Sequence, residues 1–102
     1  MLKPVIFHPG ARQDVKDAYQ YYEVKQWGLG KDFVFSMKDA KQRIAAYHKS
    51  YRFIFDKVKK ILLQRFPYVV FFKEHEREIL IVAVFHCARN PAHMRGIIRA
   101  RH

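Results

Sequence analysis

The chain has 102 residues, is 50% hydrophobic and 16% aromatic, and carries a net charge of +11. That length suits one compact folding unit and excludes two separate cores, and the aromatic content with few Gly and Pro excludes a disordered chain. The longest apolar run, Ile79 to Phe85, is seven residues, far short of the roughly 20 that a membrane-crossing helix needs.

The opening "MLKPVIFHPG" lacks the apolar core and small-residue cleavage site of a secretory leader, so the sequence reads as cytoplasmic. Residues 2–7 are a short strand candidate that "HPG" breaks. From Gly10 the spacing changes. Ala11, Val15, Ala18 and Tyr22 fall on one helical face, and Asp14 and Asp17 are expected in the first turns, where the helix dipole favours negative charge. The glycines of "WGLG", residues 27–30, end this helix. Leu29, Phe33, Met37, Ala40 and Ile44 repeat the helical spacing, with Lys31, Lys38, Lys41 and Asp39 outside. Two amphipathic helices with a short turn make an antiparallel hairpin that must lie on something else.

The second half supplies it. "YRFIF" (51–55), "KVKKILLQRF" (57–66), "YVVFFK" (68–73) and "ILIVAVFHC" (79–87) are rich in strand formers, with "EHERE" (74–78) as a charged hairpin tip. Strands this close must run antiparallel. The expected fold is α+β, a β-α-α-β-β-β plan with room for one extra short strand, the helical hairpin packing on a twisted antiparallel sheet. One domain spans 1–102. Along the last strand, strict alternation puts Ile79, Ile81, Ala83 and Phe85 on one face and Leu80, Val82, Val84 and His86 on the other. The last twelve residues read as either a short helix or a loose tail.

Charge and cysteine usage narrow the chemistry. From His86 to the end there are four arginines and no acid, a field that favours nucleic acid or an acidic protein partner over mere solubility. A single cysteine, Cys87, excludes an internal disulfide. His86 and Cys87 are adjacent, so on a strand they point apart and cannot share a metal; no metal or cofactor is expected.

Three segments in order, "A..DV..AYQYYE....GLG.DF" (11–33), "VKKILLQRFPYVVFF" (58–72) and "ILIVAVFHCARNP" (79–91), resemble the RelE/ParE superfamily of toxins from bacterial type II toxin–antitoxin modules, and within it the ParE-like, plasmid stabilisation branch. The resemblance implies the same hairpin-on-sheet fold and a small, acidic antitoxin partner encoded beside the toxin. It also implies growth inhibition, by binding DNA gyrase as ParE-like toxins do. Two alternatives are a RelE-like, metal-independent endoribonuclease that cuts message on the ribosome, and a non-toxic relic that only pairs with its antitoxin.

RNA cleavage needs a base for the 2′-hydroxyl, cations for the phosphorane and an acid for the leaving oxygen. The candidate catalytic residues are His86, Arg89, Lys60 and Tyr68; Lys59, Arg65, Arg95 and Arg99 are candidates for holding a partner or nucleic acid. A histidine titrates near neutrality, which suits proton transfer, and an arginine fork suits phosphate or carboxylate. Lys59 and Lys60 are neighbours on one strand, so only one can serve a given face. No carboxylate base is expected nearby, since Glu74, Glu76 and Glu78 fall at the hairpin tip. The family pattern often has aspartate at Asn90 and tryptophan at Met94.

Overall fold

A computed structural model describes residues 2–101. The chain runs β1 (Val5–Phe7), α1 (Pro9–Lys25), α2 (Leu29–Tyr47), β2 (Val58–Leu62), β3 (Tyr68–Glu74), β4 (Ile79–His86) and α3 (Pro91–Arg101). This is the expected α+β plan with the tail wound into a helix; His102, the end of that tail, lies outside the described residues. The strand order is β1-β4-β3-β2. β2, β3 and β4 are antiparallel as expected, while β1 pairs parallel to β4, making the sheet mixed. Two helices and two strands separate β1 from β4, so no tight turn forces that pair antiparallel.

α1 begins at Pro9, where the missing N–H costs nothing, and His8 caps it by accepting the Gly10 N–H on Nδ1 at 2.9 Å. α1 and α2 join at Gly28, whose φ of 87° only glycine adopts freely. Glu23 fixes the turn by accepting the N–H groups of Gly28 and Gly30, both at 3.0 Å. The hairpin buries Ala11, Ala18, Phe33, Ala40 and Ile44 against Val70, Phe72, Ile79 and Ile81 on one face of the sheet. On the other face, Ile98 of α3 packs on Val58, Val69, Phe71 and Phe85.

Two expectations along the strands change. Segment 51–55 is not a strand. Asp56 and Lys57 both take positive φ and reverse the chain, Phe55 bridges Val58, and Ile54 N–H to Val58 O at 2.8 Å is the last ladder bond before the segment peels away. The strand expected over 57–66 covers only 58–62, because Arg65, at φ 72°, turns the chain into β3.

The strict alternation expected along β4 also fails. Phe72 opposes Ile81 and Phe71 opposes Ala83, so Val82 is the extra residue of a β-bulge. Past the bulge the facing is reversed. Val84 joins Ile79 and Ile81 in the hairpin-side core, while Val82, Ala83 and Phe85 face α3. His86, two residues beyond Val84, therefore opens on the hairpin side.

Candidate functional site

The C-terminal end of β4 opens into a cleft of about 220 Å³ between the sheet and α1. Three of the candidate catalytic residues line it: Tyr68, His86 and Arg89. Tyr68 and His86 are register partners on β3 and β4, and their rings meet edge to face at 5.3 Å. His86 Nδ1 accepts the Ala88 N–H at 3.0 Å, which puts the proton of the neutral ring on Nε2 and spends its acceptor within its own turn. Burial pushes the Tyr68 phenol up from its ordinary value, Tyr22 and Tyr21 add to this, and Arg89 works against it. Neither ring is set as a ready base. The Arg89 guanidinium lies 4.4 Å over the Phe85 ring, a cation–π contact that holds it at the cleft rim.

Sequence reading missed the carboxylates of this cleft. Asp14 and Asp17 both line it, brought there from α1, far away in sequence. Asp17 accepts the Gln13 amide at 2.8 Å. Asp14 does not serve the helix dipole in the first turn. It accepts the Val84 N–H at 3.0 Å and pairs with Arg101 Nη1 at 2.7 Å. Arg101 in turn donates to Val82 O at 3.1 Å. β1 ends at Phe7, opposite Ile81, so these two side chains supply hydrogen bonds that a longer β1 would have made to β4. Gly10 makes room: a Cβ there would lie 2.5 Å from Arg101 Nε.

Lys60 stands on the opposite face. It lines an apolar groove of about 380 Å³ between the sheet and α3, together with Leu62, Phe71, Met94 and Arg95. The guanidinium groups of Arg95 and Arg99 lie 5.0 and 5.7 Å from the Phe55 ring, and Arg99 Nε pairs with Asp56 at 2.7 Å. The sheet thus divides the catalytic candidates into His86, Tyr68 and Arg89 on one side and Lys60 on the other.

Lys59 is not on the outer surface. It is buried, and its ammonium donates to His48 O at 2.7 Å. The neighbouring His48 ring is also buried; its Nε2 is 3.4 Å from Glu74 Oε2, without a hydrogen bond to either ring nitrogen. Burial pulls the His48 pKa below its usual value, against the pull of Glu74. Glu74 accepts from Lys3 at 2.6 Å, the main reason its carboxyl is held below the usual range. Arg65 is exposed at the β2–β3 turn, 3.4 Å from Asp32. Among the described residues no three His, Cys, Asp or Glu side chains converge as metal ligands would, and no helix is long and apolar enough to cross a membrane.

A helical hairpin on one face of a four-stranded mixed sheet, with a cleft of mixed charge on that face and a cation-walled groove on the other, is a fold of the toxin type found in toxin–antitoxin modules. The family described as the ParE toxin of the type II toxin–antitoxin system parDE matches residues 5–91, and the chain belongs to that family. Among solved structures, the chromosomal ParDE toxin–antitoxin system from P. aeruginosa is similar at 16% identity. The match covers 83% of this chain and 96% of that one with a TM-score of 0.74, a likeness of fold. No curated protein matches the chain significantly.

Proposed function

We propose that this chain is the growth-inhibiting toxin of a two-gene module, acting in the cytoplasm by binding DNA gyrase and held in check by a small acidic antitoxin. Membership of the ParE family supports the module and the antitoxin partner. The observation that carries the choice of target is the division of the catalytic candidates by the sheet: the cleft with His86 and Tyr68 lacks Lys60, which lines the groove on the far face. A nuclease needs base, acid and phosphate-holding cations around one bond. A binding inhibitor needs only complementary surface.

The groove under α3 fits the antitoxin. Its floor is apolar and its walls carry Lys60 and Arg95, which suits an amphipathic acidic segment. Inducing the chain in cells should arrest growth, and co-expressing the short acidic reading frame beside it should relieve the arrest. Growth without arrest would favour the non-toxic relic.

The second reading, ribosome-dependent cleavage of message, has one observation in its favour. Asp17, Tyr68, His86 and Arg89 do share a cleft, so a carboxylate, a histidine and an arginine are within one small volume. Cleavage of ribosome-bound message by the parent, lost in His86→Ala and Arg89→Ala, would establish that reading.

A further inference from the structure

A second group of cations, besides those near the C-terminus, gathers where the helical hairpin meets the end of β1. Phe7, at the end of β1, carries a cation from each helix: the Arg12 guanidinium of α1 and the Lys41 ammonium of α2, each 5.9 Å from the ring centre. Two shallow depressions flank this point. One, of about 290 Å³, is lined by Phe7, Arg12 and Lys16. The other, of about 340 Å³, is lined by Lys38 and Lys41, with Lys3 at its edge. Arg12, Lys16, Lys38 and Lys41 are all exposed. No carboxylate lines either depression, and the nearest acid on α2, Asp39, is held by Arg43 at 2.9 Å. The late arginines differ, since Arg99 and Arg101 are already paired with Asp56 and Asp14.

Like charges gathered without counter-ions repel one another, and the repulsion is relieved when a polyanion docks. We propose that the outer face of the α1–α2 hairpin, through Arg12, Lys16, Lys38 and Lys41, binds the phosphate backbone of duplex DNA. The chemistry favours phosphate over an acidic protein. Protein interfaces are built on an apolar centre and are depleted in lysine, whereas backbone contacts to DNA come from Lys and Arg without sequence reading. It favours a duplex over a single strand, because single strands are held by open aromatic platforms, whereas here the Phe7 ring is flanked by two cations and the exposed Phe35 ring already carries the Lys38 ammonium at 5.6 Å. The cations also form two rows, one per helix. Arg12 and Lys16 are one turn apart on α1, and Lys38 and Lys41 are one turn apart on α2, each pair about 5–6 Å at its base. This surface does not depend on whether gyrase is the target.

The test is fluorescence anisotropy of a labelled duplex of mixed sequence with the full chain, titrated over a range of salt. The variant Arg12→Gln/Lys16→Gln/Lys38→Gln/Lys41→Gln should bind about tenfold or more weakly, with a log–log salt slope smaller by about 3 to 4, because each lost phosphate contact removes about 0.9. A second variant with equal charge removal at exposed positions elsewhere, Lys49→Gln/Arg52→Gln/Lys57→Gln/Arg77→Gln, should keep the parent slope within about one unit. Thermal melts confirm that both fold. Equal loss in the two variants would show net charge alone at work and overturn the proposal. So would an unchanged slope in the hairpin variant, or loss of polyglutamate binding with duplex binding intact.

Discussion

Arg101 and Asp14, 87 positions apart in the chain, meet at 2.7 Å in a largely buried pair that also hydrogen-bonds the open edge of β4. The pair ties the last turn of α3 to α1 and to the strand that carries His86. It therefore fixes both the C-terminal helix and one wall of the His86 cleft, although neither residue was a site candidate.

Removing one member should be costly, since the other is left unpaired and the Val84 N–H or Val82 carbonyl loses a partner. Arg101→Ala or Asp14→Ala should destabilise the fold by about 3 kcal/mol, read by urea unfolding. Gly10→Ala should cost about 1–3 kcal/mol through the clash with Arg101. The two effects should be strongly non-additive in Gly10→Ala/Arg101→Ala, because the clash is gone once the guanidinium is gone. Simple addition would show that the pair does not organise this corner.

Stability should fall in acid in two steps. Burial lowers the folded-state pKa of His48 below its unfolded value near 6.5. The unfolded chain therefore binds the proton more readily, and stability is present above about pH 6.5 and lost as pH falls through the folded-state value, by at most about 1.4 kcal/mol per pH unit. The groups facing the ring are Glu74, Lys59, Lys3 and Lys49, three of them cationic, so protonation finds only one ally. Glu74, lowered chiefly by its bond from Lys3, adds a loss of the same sign at lower pH. Melting temperatures from pH 7.5 to 5 should drop in the parent and flatten in His48→Gln. A rise on acidification would contradict the assignment.

Trp27, the only tryptophan, is 90% exposed at the hairpin turn, while the turn itself is held by Glu23. Trp27→Ala should change stability by no more than about 0.5 kcal/mol. Its emission should already be that of a hydrated indole in the folded protein and should shift little on unfolding. A large red shift in denaturant would mean that the ring is covered in solution.

Under the gyrase reading the acid–base groups of the His86 cleft are dispensable. Tyr68→Phe, which keeps the ring packed, and His86→Gln should leave growth arrest within about twofold, whereas loss of a general acid or base costs a nuclease about 10²- to 10⁴-fold.

The helical hairpin was legible in the sequence because Ala11, Val15, Ala18 and Tyr22, then Leu29 to Ile44, mark one face each against a polar background. The bulge at Val82 was not. "ILIVAVF" has no polar residue to show where the alternation slips, so the pattern alone groups His86 with Leu80, Val82 and Val84, of which the fold keeps only Val84 on its side. The turn at Asp56 and Lys57 was hidden because aspartate tolerates positive φ but lysine rarely takes it, and no glycine follows Asp56 to mark the turn. Adjacent Lys59 and Lys60 could be split between two faces, but which one is buried depends on strand register and on the His48 carbonyl across the fold. The carboxylates of the His86 cleft could not be found locally, since only the packing of α1 across β4 brings Asp14 and Asp17 there.

The most direct test of the proposed function is a supercoiling assay with purified DNA gyrase and the full chain, run beside a cleavage assay on ribosome-bound message. The expected result is inhibition of supercoiling at micromolar protein, retained in Tyr68→Phe/His86→Gln, with the message intact. Undiminished supercoiling together with cut message would contradict it.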